Sequence, residues 1–306
     1  MIQDIGSSRL DISYVNQKPN KQNKSDTLLV FNAEGHILVA SQGDRLLFPV
    51  ADGDMDNVET VYLFSVDGHP YYLLMSGETE QDGFAEQDGF TDQNGFAEQD
   101  GFAEQDGFKE QDGFAYQDIK KLRGTCCNVD MLVVFTAYHL WRWYMDNRLC
   151  GRCGHKLIHK NDERALVCEN CSNIIFPRIN PAVIVGVIKG ESIMITRYRS
   201  GYAHNALVAG FTEIGETLEQ TVAREVMEET GIKVKNIHYY KSQPWGMAQD
   251  VLMGFFCEAD GDGEIKMDEG ELKYAQWVPR EKVELQPNDL SLTNEMMRIF
   301  KDGFDL

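Results

Sequence analysis

At 306 residues, with 42% apolar side chains and a formal net charge of −20, the chain is long enough for two domains and apolar enough to bury real cores. No apolar run approaches the roughly eighteen residues of a membrane span, and the start, MIQDIGSSRLDISYV, lacks the basic-then-apolar pattern of a secretory signal. Thirteen acids and one lysine between Glu78 and Asp118 carry most of the charge, so the remainder is only moderately acidic and bare electrostatic binding to nucleic acid is not favoured.

In chain order, residues 1–75 contain the short β-like runs TLLVFNA, HILVA, TVYLFSV and YYLLM, punctuated by Gly, Asp and Asn. QDGF, or its variant QNGF, then recurs every six residues and sets Phe84, Phe90, Phe96, Phe102, Phe108 and Phe114 in register. Such a period can stack as a β-solenoid. The alternative is a disordered tract, and it is the expectation here. One Phe in six buries too little to offset chain entropy, β-branched residues are nearly absent, and the charge is self-repelling. Deleting 80–115 is therefore expected to leave what the rest of the chain does largely intact. Residues 128–145 next read as a helix with Leu132, Phe135, Leu140 and Trp143 among its apolar positions.

Cys150-x2-Cys153 and Cys168-x2-Cys171 follow, fourteen residues apart. Two such pairs form a strong four-thiolate zinc signal, and four protein ligands leave no open coordination position, so one structural Zn²⁺ per chain is expected. The pattern suits a reducing cytosol better than a disulfide framework. Cys126, Cys127 and Cys257 lack such partners and read as small buried apolar side chains. The ribbon loop HKLIHKNDERALV carries no stacking aromatics, which argues against an independent nucleic-acid reader.

Beyond the ribbon, PAVIVGVI, SIMITRY, LMGFFCEA and KYAQWVP read as strands, and SLTNEMMRIFKD reads as a helix with Ser291 as N-cap. Between them lies GFTEIGETLEQTVAREVMEETGI, residues 210–232, with the spacing G-x5-E-x7-R-E-x2-E-E-x-G. Thr217 and Gln220 form a capping box and Gly231 suits a left-handed cap, which predicts a helix over 218–230. Glu225, Glu228 and Glu229 share one face of that helix, beside an apolar stripe of Leu218, Val222 and Val226. Like charges at these spacings cost roughly 0.2–0.5 kcal/mol per pair without a cation. Carboxylates clustered at a partly desolvated edge suit a hard divalent cation that keeps waters for phosphate oxygens.

On these residues the segment resembles the Nudix box, fixed position by fixed position. The preceding ribbon, the linker FPRINPAV (176–183) and SQPW (242–245) extend the resemblance, from about residue 125 to 300, to the NADH pyrophosphatase, or NAD⁺ diphosphatase, branch. The implied fold is α+β or α/β, a Nudix α/β/α sandwich. Its divisions would be an N-terminal mixed domain (1–145, with 78–117 as the acidic insert), the ribbon (146–176) and the Nudix domain (177–306). The resemblance further implies catalytic Mg²⁺ or Mn²⁺ held by the Ala209 carbonyl, Glu225, Glu229 and Glu271, with Glu228 as a further ligand or base. Glu216 would orient Arg224 in a buried salt bridge. Substrate contacts carried over by position are Glu163, Phe176 (in place of a base-stacking Tyr), Thr293 and the segment Gln243, Pro244, Trp245, Gly246, Met247, Ala248, Gln249 and Asp250.

That segment departs from the family pattern SQPWPFPxS. It reads SQPWGMAQD, loses two prolines and a Phe, and carries Asp250 in place of Ser. The implied reaction is hydrolysis of the NAD(H) diphosphate to nicotinamide mononucleotide and AMP, or the same cut on NAD-capped RNA, by a homodimer. A generalist acting on ADP-ribose or dinucleoside polyphosphates and a non-catalytic zinc-ribbon binding module are the alternatives.

Overall fold

Short apolar runs broken by turn residues become strands in the computed structural model, which describes residues 1–14, 26–51, 59–75, 113–199 and 203–304. The chain divides into two compact units, one made of Arg9–Lys121 with Asn161–Glu163, the other of Met1–Ser8, Leu122–Lys160 and Arg164–Leu306.

In the smaller unit, the strands are β1 (Leu10–Asp11), β2 (Thr27–Leu29), β3 (Ile37–Gln42), β4 (Arg45–Leu47), β5 (Thr60–Val66), β6 (His69–Leu74) and β7 (Ala115–Gln117). They form two sheets, in the orders β1-β5-β6-β2 and β4-β3-β7. Asp67 and Gly68, both at positive φ, close the β5–β6 hairpin as Asp-Gly turns do. Leu28, Val30, Leu38, Tyr62, Tyr72 and Leu74 make its core. Among the described residues this unit contains strands and no helix. The hexapeptide repeat lies outside the described residues except for its end. There the expectation of disorder to residue 117 does not hold: Phe114 packs against the core, and β7 pairs with β3. The pairing gives this stretch backbone partners that the composition could not reveal.

The larger unit begins with the helix α1 (Asn128–Asp146), which the sequence division at residue 145 had grouped with the N-terminal strands. The ribbon follows as β8 (Ile158–His159), β9 (Leu166–Val167) and β10 (Ile174–Ile175). Then come β11 (Asn180–Lys189), β12 (Ser192–Tyr198), β13 (Val208–Phe211), α2 (Leu218–Thr230), β14 (Lys233–Trp245), β15 (Asp250–Asp260), β16 (Leu272–Pro279) and α3 (Leu292–Lys301).

The main sheet runs β14-β15-β11-β12-β16, with β13 also paired to β11. It is mixed, since β11 and β15 are parallel and the other pairs antiparallel. Alternation along β11 explains the layering. Val183, Val185 and Val187 pack with Val222 and Val226 of α2, whereas Ile184 and Ile188 pack with Leu292, Met296 and Phe300 of α3. A helix layer therefore covers each face, giving the α/β/α sandwich. The first residues join the α3 side: Met1 is part of that core, the Ile2 amide donates to the Leu290 carbonyl, and the Gln3 side chain donates to the Ser242 carbonyl.

Candidate active site

Helix α2 is set by its own ends. The Thr217 hydroxyl accepts from the Gln220 amide, the Gln220 side chain accepts from the Thr217 amide, and Gly231 takes a left-handed cap at φ 69°. Val222 and Val226 face the sheet, and this fixes the rotation of the helix and the aim of its acids. The three box glutamates then meet different surroundings. Glu229 is buried, Glu225 is half-buried, and the Glu228 side chain is 60% exposed.

Arg224 organises this face. Its guanidinium grips Glu216 in a fork (Nε to Oε1 2.6 Å, Nη2 to Oε2 2.9 Å) and also donates to Glu225 (2.7 Å), Glu228 (3.0 Å) and the Phe211 carbonyl (2.9 Å). The Glu213 amide and the Thr221 hydroxyl complete the partners of Glu216. Hydrogen bonding from Arg224, above all, holds the Glu216 carboxyl down to about 2. The pair is partly exposed, not buried as the resemblance implied, with side-chain exposures of 25% and 19%.

Opposite these carboxylates runs β13. Glu225 lies directly on Gly210: a Cβ there would come within 2.0 Å of the Glu225 carboxyl carbon. Glu229 faces the backbone of Ala209, and its Oε2 is buried without a hydrogen-bond partner. Burial, followed by the charges of Glu225 and Glu271, pushes the Glu229 carboxyl up to about 8. Glu225 is raised as well, by burial first and then by the charges of Glu228 and Glu271, against relief from Arg224. An orphaned buried carboxylate oxygen, a backbone carbonyl and neighbouring acids form a donor set that fits a hard divalent cation. The acids are not drawn as tightly as the ribbon thiols, which are the one group of three or more ligating side chains within 4.8 Å of one another among the described residues.

Two residues near this set escaped the sequence reading. Asp268 donates its amide to the Glu229 carbonyl, and its charge adds to those raising Glu229. Tyr198, the last residue of β12, directs its hydroxyl at the Ala209 carbonyl (3.5 Å). Burial first, then Glu229, Glu271 and Glu225, push its phenol well above the usual range. The only hint of Tyr198 in the sequence was its place at the end of SIMITRY.

The segment expected to contact substrate, residues 243–250, is less uniform. Gln243 is fully buried, and its carboxamide donates to the Leu290 carbonyl (2.8 Å) and Gln3 (3.1 Å) and accepts from the Leu292 amide (2.7 Å). Those bonds tie the end of β14 to α3 and the N-terminal residues. Pro244 is exposed, whereas half-buried Trp245 meets Phe135 edge-on at 5.2 Å and has Arg123 over its ring at 5.1 Å. Gly246, Met247, Ala248 and Gln249 turn the chain into β15, with Gln249 at φ 61°. A Cβ on Gly246 would lie 1.9 Å from the Phe135 carbonyl oxygen, so helix α1 occupies the space a bulkier residue would need. Arg178 bonds Gln249, and Asn180 bonds Asp250 at 3.4 Å. Phe176 is exposed, half-buried Thr293 lies in the first turn of α3, and Glu163 groups with the smaller unit.

At the ribbon, the cysteine sulfurs lie 3.6 Å (Cys150–Cys171), 3.4 Å (Cys153–Cys168) and 3.4 Å (Cys153–Cys171) apart. Tetrahedral zinc with bonds of about 2.3 Å needs sulfurs about 3.8 Å apart, so the four thiols fit the ion. Hydrogen bonding from the His155 backbone, followed by the Asn170 side chain, holds the Cys153 thiol down to about 5, which favours the ligating thiolate.

Residues 178–298 match the NUDIX domain, and residues 146–176 match the NADH pyrophosphatase zinc ribbon domain. Over 151 residues, 48% of this chain, the sequence is 43% identical to the NAD-capped RNA hydrolase NudC of Escherichia coli O1:K1 / APEC, and equally to that of Escherichia coli O127:H6 (strain E2348/69 / EPEC). The match spans 58% of the length of those relatives. Among solved structures, a NUDIX hydrolase from Nitrosomonas europaea aligns over 51% of this chain and 92% of its own, at 20% identity and a TM-score of 0.44. The MutT NUDIX hydrolase from Burkholderia pseudomallei aligns over 41% and 97%, at 15% identity and a TM-score of 0.33. No helix among the described residues is long and apolar enough to cross a membrane. Residues 178–298 thus form a Nudix domain with a zinc ribbon ahead of it, and the chain's sequence match lies in the NADH pyrophosphatase and NudC branch.

Proposed function

We propose that this protein is a Mg²⁺- or Mn²⁺-dependent hydrolase that cuts the diphosphate of NAD(H) into nicotinamide mononucleotide and AMP. The observation that carries the reading is the meeting of Glu225 and Glu229 with the backbone of Ala209 and Gly210, where a buried glutamate oxygen has no protein partner. Ala209, Glu225, Glu229 and Glu271 would hold the divalent ion. When bound, that ion neutralises the diphosphate oxygens and acidifies a water.

The side chains divide the remaining work. Glu216 and Arg224 fix the direction of Glu225 through the guanidinium fork. Glu228, the most exposed of the three box acids, takes the proton as water oxygen bonds to phosphorus and the bond from that phosphorus to the bridging oxygen breaks. Phe176 and Trp245 offer flat faces to the base and the nicotinamide. Thr293 and the turn through Pro244, Gly246, Met247, Ala248, Gln249 and Asp250 line the substrate in this reading, with Gln243 supporting the turn from within.

A second reading, removal of an NAD cap from RNA, is favoured by the activity named for the E. coli relatives. It requires the same cut. A generalist for ADP-ribose or dinucleoside polyphosphates is the competing enzyme. A cytoplasmic setting is supported by the free thiols, and a homodimer by the family resemblance.

The deciding experiment incubates the full chain with NADH, NAD⁺ and ADP-ribose in Mg²⁺ or Mn²⁺ and identifies the products. Nicotinamide mononucleotide and AMP, at rates above those for ADP-ribose, are expected. Glu229→Gln is expected to lose at least about 100-fold in turnover. Equal activity of Glu229→Gln and the parent would remove the metal assignment.

A further inference from the structure

Tyr198 occupies a place that neither the box spacing nor the family matches assign. Strand β12 pairs with β16 in regular register until Arg197, opposite Tyr274, is followed by Tyr198, opposite Leu272, so that Lys273 of β16 is the extra residue. Such irregularities re-aim a side chain, and they concentrate beside active sites. Here the shift is followed at once by two backbone anchors. The Arg199 amide donates to the Glu271 carbonyl (3.0 Å), and the Arg199 side chain donates to the Glu269 carbonyl. Residues on both sides of the Tyr198 ring are thus held, and the anchored loop is the one that carries Glu271.

The hydroxyl has one proton to donate. It faces the Ala209 carbonyl at 3.5 Å, and Glu229, Glu271 and Glu225 are close enough for their charges to act on it. Arg224 spends its donors on Glu216, Glu225, Glu228 and the Phe211 carbonyl. That leaves Tyr198 as a neutral donor beside Glu229. A cation in this position would have strengthened the negative cluster's internal balance but competed with a divalent ion. A neutral phenol steers an oxygen without adding a rival charge.

We propose that Tyr198 is a positioning residue of the divalent-ion site, its hydroxyl directing the Ala209 carbonyl toward the space shared with Glu225, Glu229 and Glu271. The inference rests on the metal-hydrolase reading above. The contact, at 3.5 Å, is at the long end for a hydrogen bond.

The test compares the full chain with Tyr198→Phe, Tyr198→Leu and Glu229→Gln. Mn²⁺ binding is followed by calorimetry, alongside zinc content, thermal midpoint and the kcat and KM for NADH. Tyr198→Phe is expected to keep its zinc and its thermal midpoint and to bind Mn²⁺ about tenfold more weakly. Its kcat should fall at limiting Mn²⁺ and recover as Mn²⁺ is raised, with KM for NADH unchanged. Parental Mn²⁺ affinity in Tyr198→Phe overturns the proposal, and a loss confined to Tyr198→Leu does so too, by assigning the effect to ring packing. Failure of the parent itself to bind Mn²⁺ outside the ribbon sinks the metal-hydrolase reading, and this inference with it.

Discussion

Gly210 shows how one missing side chain can define a site. The Glu225 carboxylate fills the volume that a Cβ at this position would claim. Gly210→Ala must push that carboxylate off β13, and displacement by about 1 Å at a reacting centre costs about 100-fold in rate. A loss of that size in turnover, with a much smaller change in thermal midpoint, is the expected outcome of assaying this variant. Asp250 makes a different point. Its burial lifts the carboxyl to about 6, against partial relief from Asn180 and Arg178. The unfolded chain releases this proton near pH 3.8, so between there and pH 6 the native state binds more protons. Stability from this group therefore falls as pH rises through that window and is level above it. Asp250→Asn should remove the slope, leaving the variant the more stable protein at pH 7 by at most about 3 kcal/mol. Denaturant titrations at pH 4, 5, 6 and 7 would expose the divergence, and parallel curves would refute it.

Helix α2 was legible from sequence because both its ends are local. A Thr and a Gln three residues apart close one terminus, and a glycine at positive φ closes the other. Thr217→Ala should cost about 1 kcal/mol, read as a lowered denaturation midpoint with Mn²⁺ absent. Strands β11 and β12 were equally plain, being apolar runs bounded by turns. Strand β14 was not. It lies at the sheet edge, its sequence is rich in Lys, Asn, His and Tyr, and most of its side chains are exposed, so no alternation marks it. The role of Gln243 was hidden for a related reason. Its three partners come from Gln3, Leu290 and Leu292, at separations that no local pattern reports. The same holds for Tyr198, whose aim depends on a register shift between two strands more than seventy residues apart. Motif spacing thus reported the charged residues of the candidate site, and the remaining residues depend on long-range pairing.

At the scale of the molecule, the ribbon is a small structure held by four thiols and three two-residue or shorter-than-average strands. So little apolar burial is expected to depend on its ion. One zinc per chain should be found by metal analysis, and its removal by a chelator should lower the thermal midpoint by at least about 5 °C. The effect should not stop there. Helix α1 ends at Asp146, four residues before Cys150, and halfway along it the Phe135 carbonyl presses against the Gly246 backbone. With no side chain between them, the turn cannot swing independently of the helix. Stripping or oxidising the ribbon thiols would therefore surface, for the proposed dinucleotide substrate, as a raised KM at nearly constant kcat, although no zinc ligand belongs to that turn.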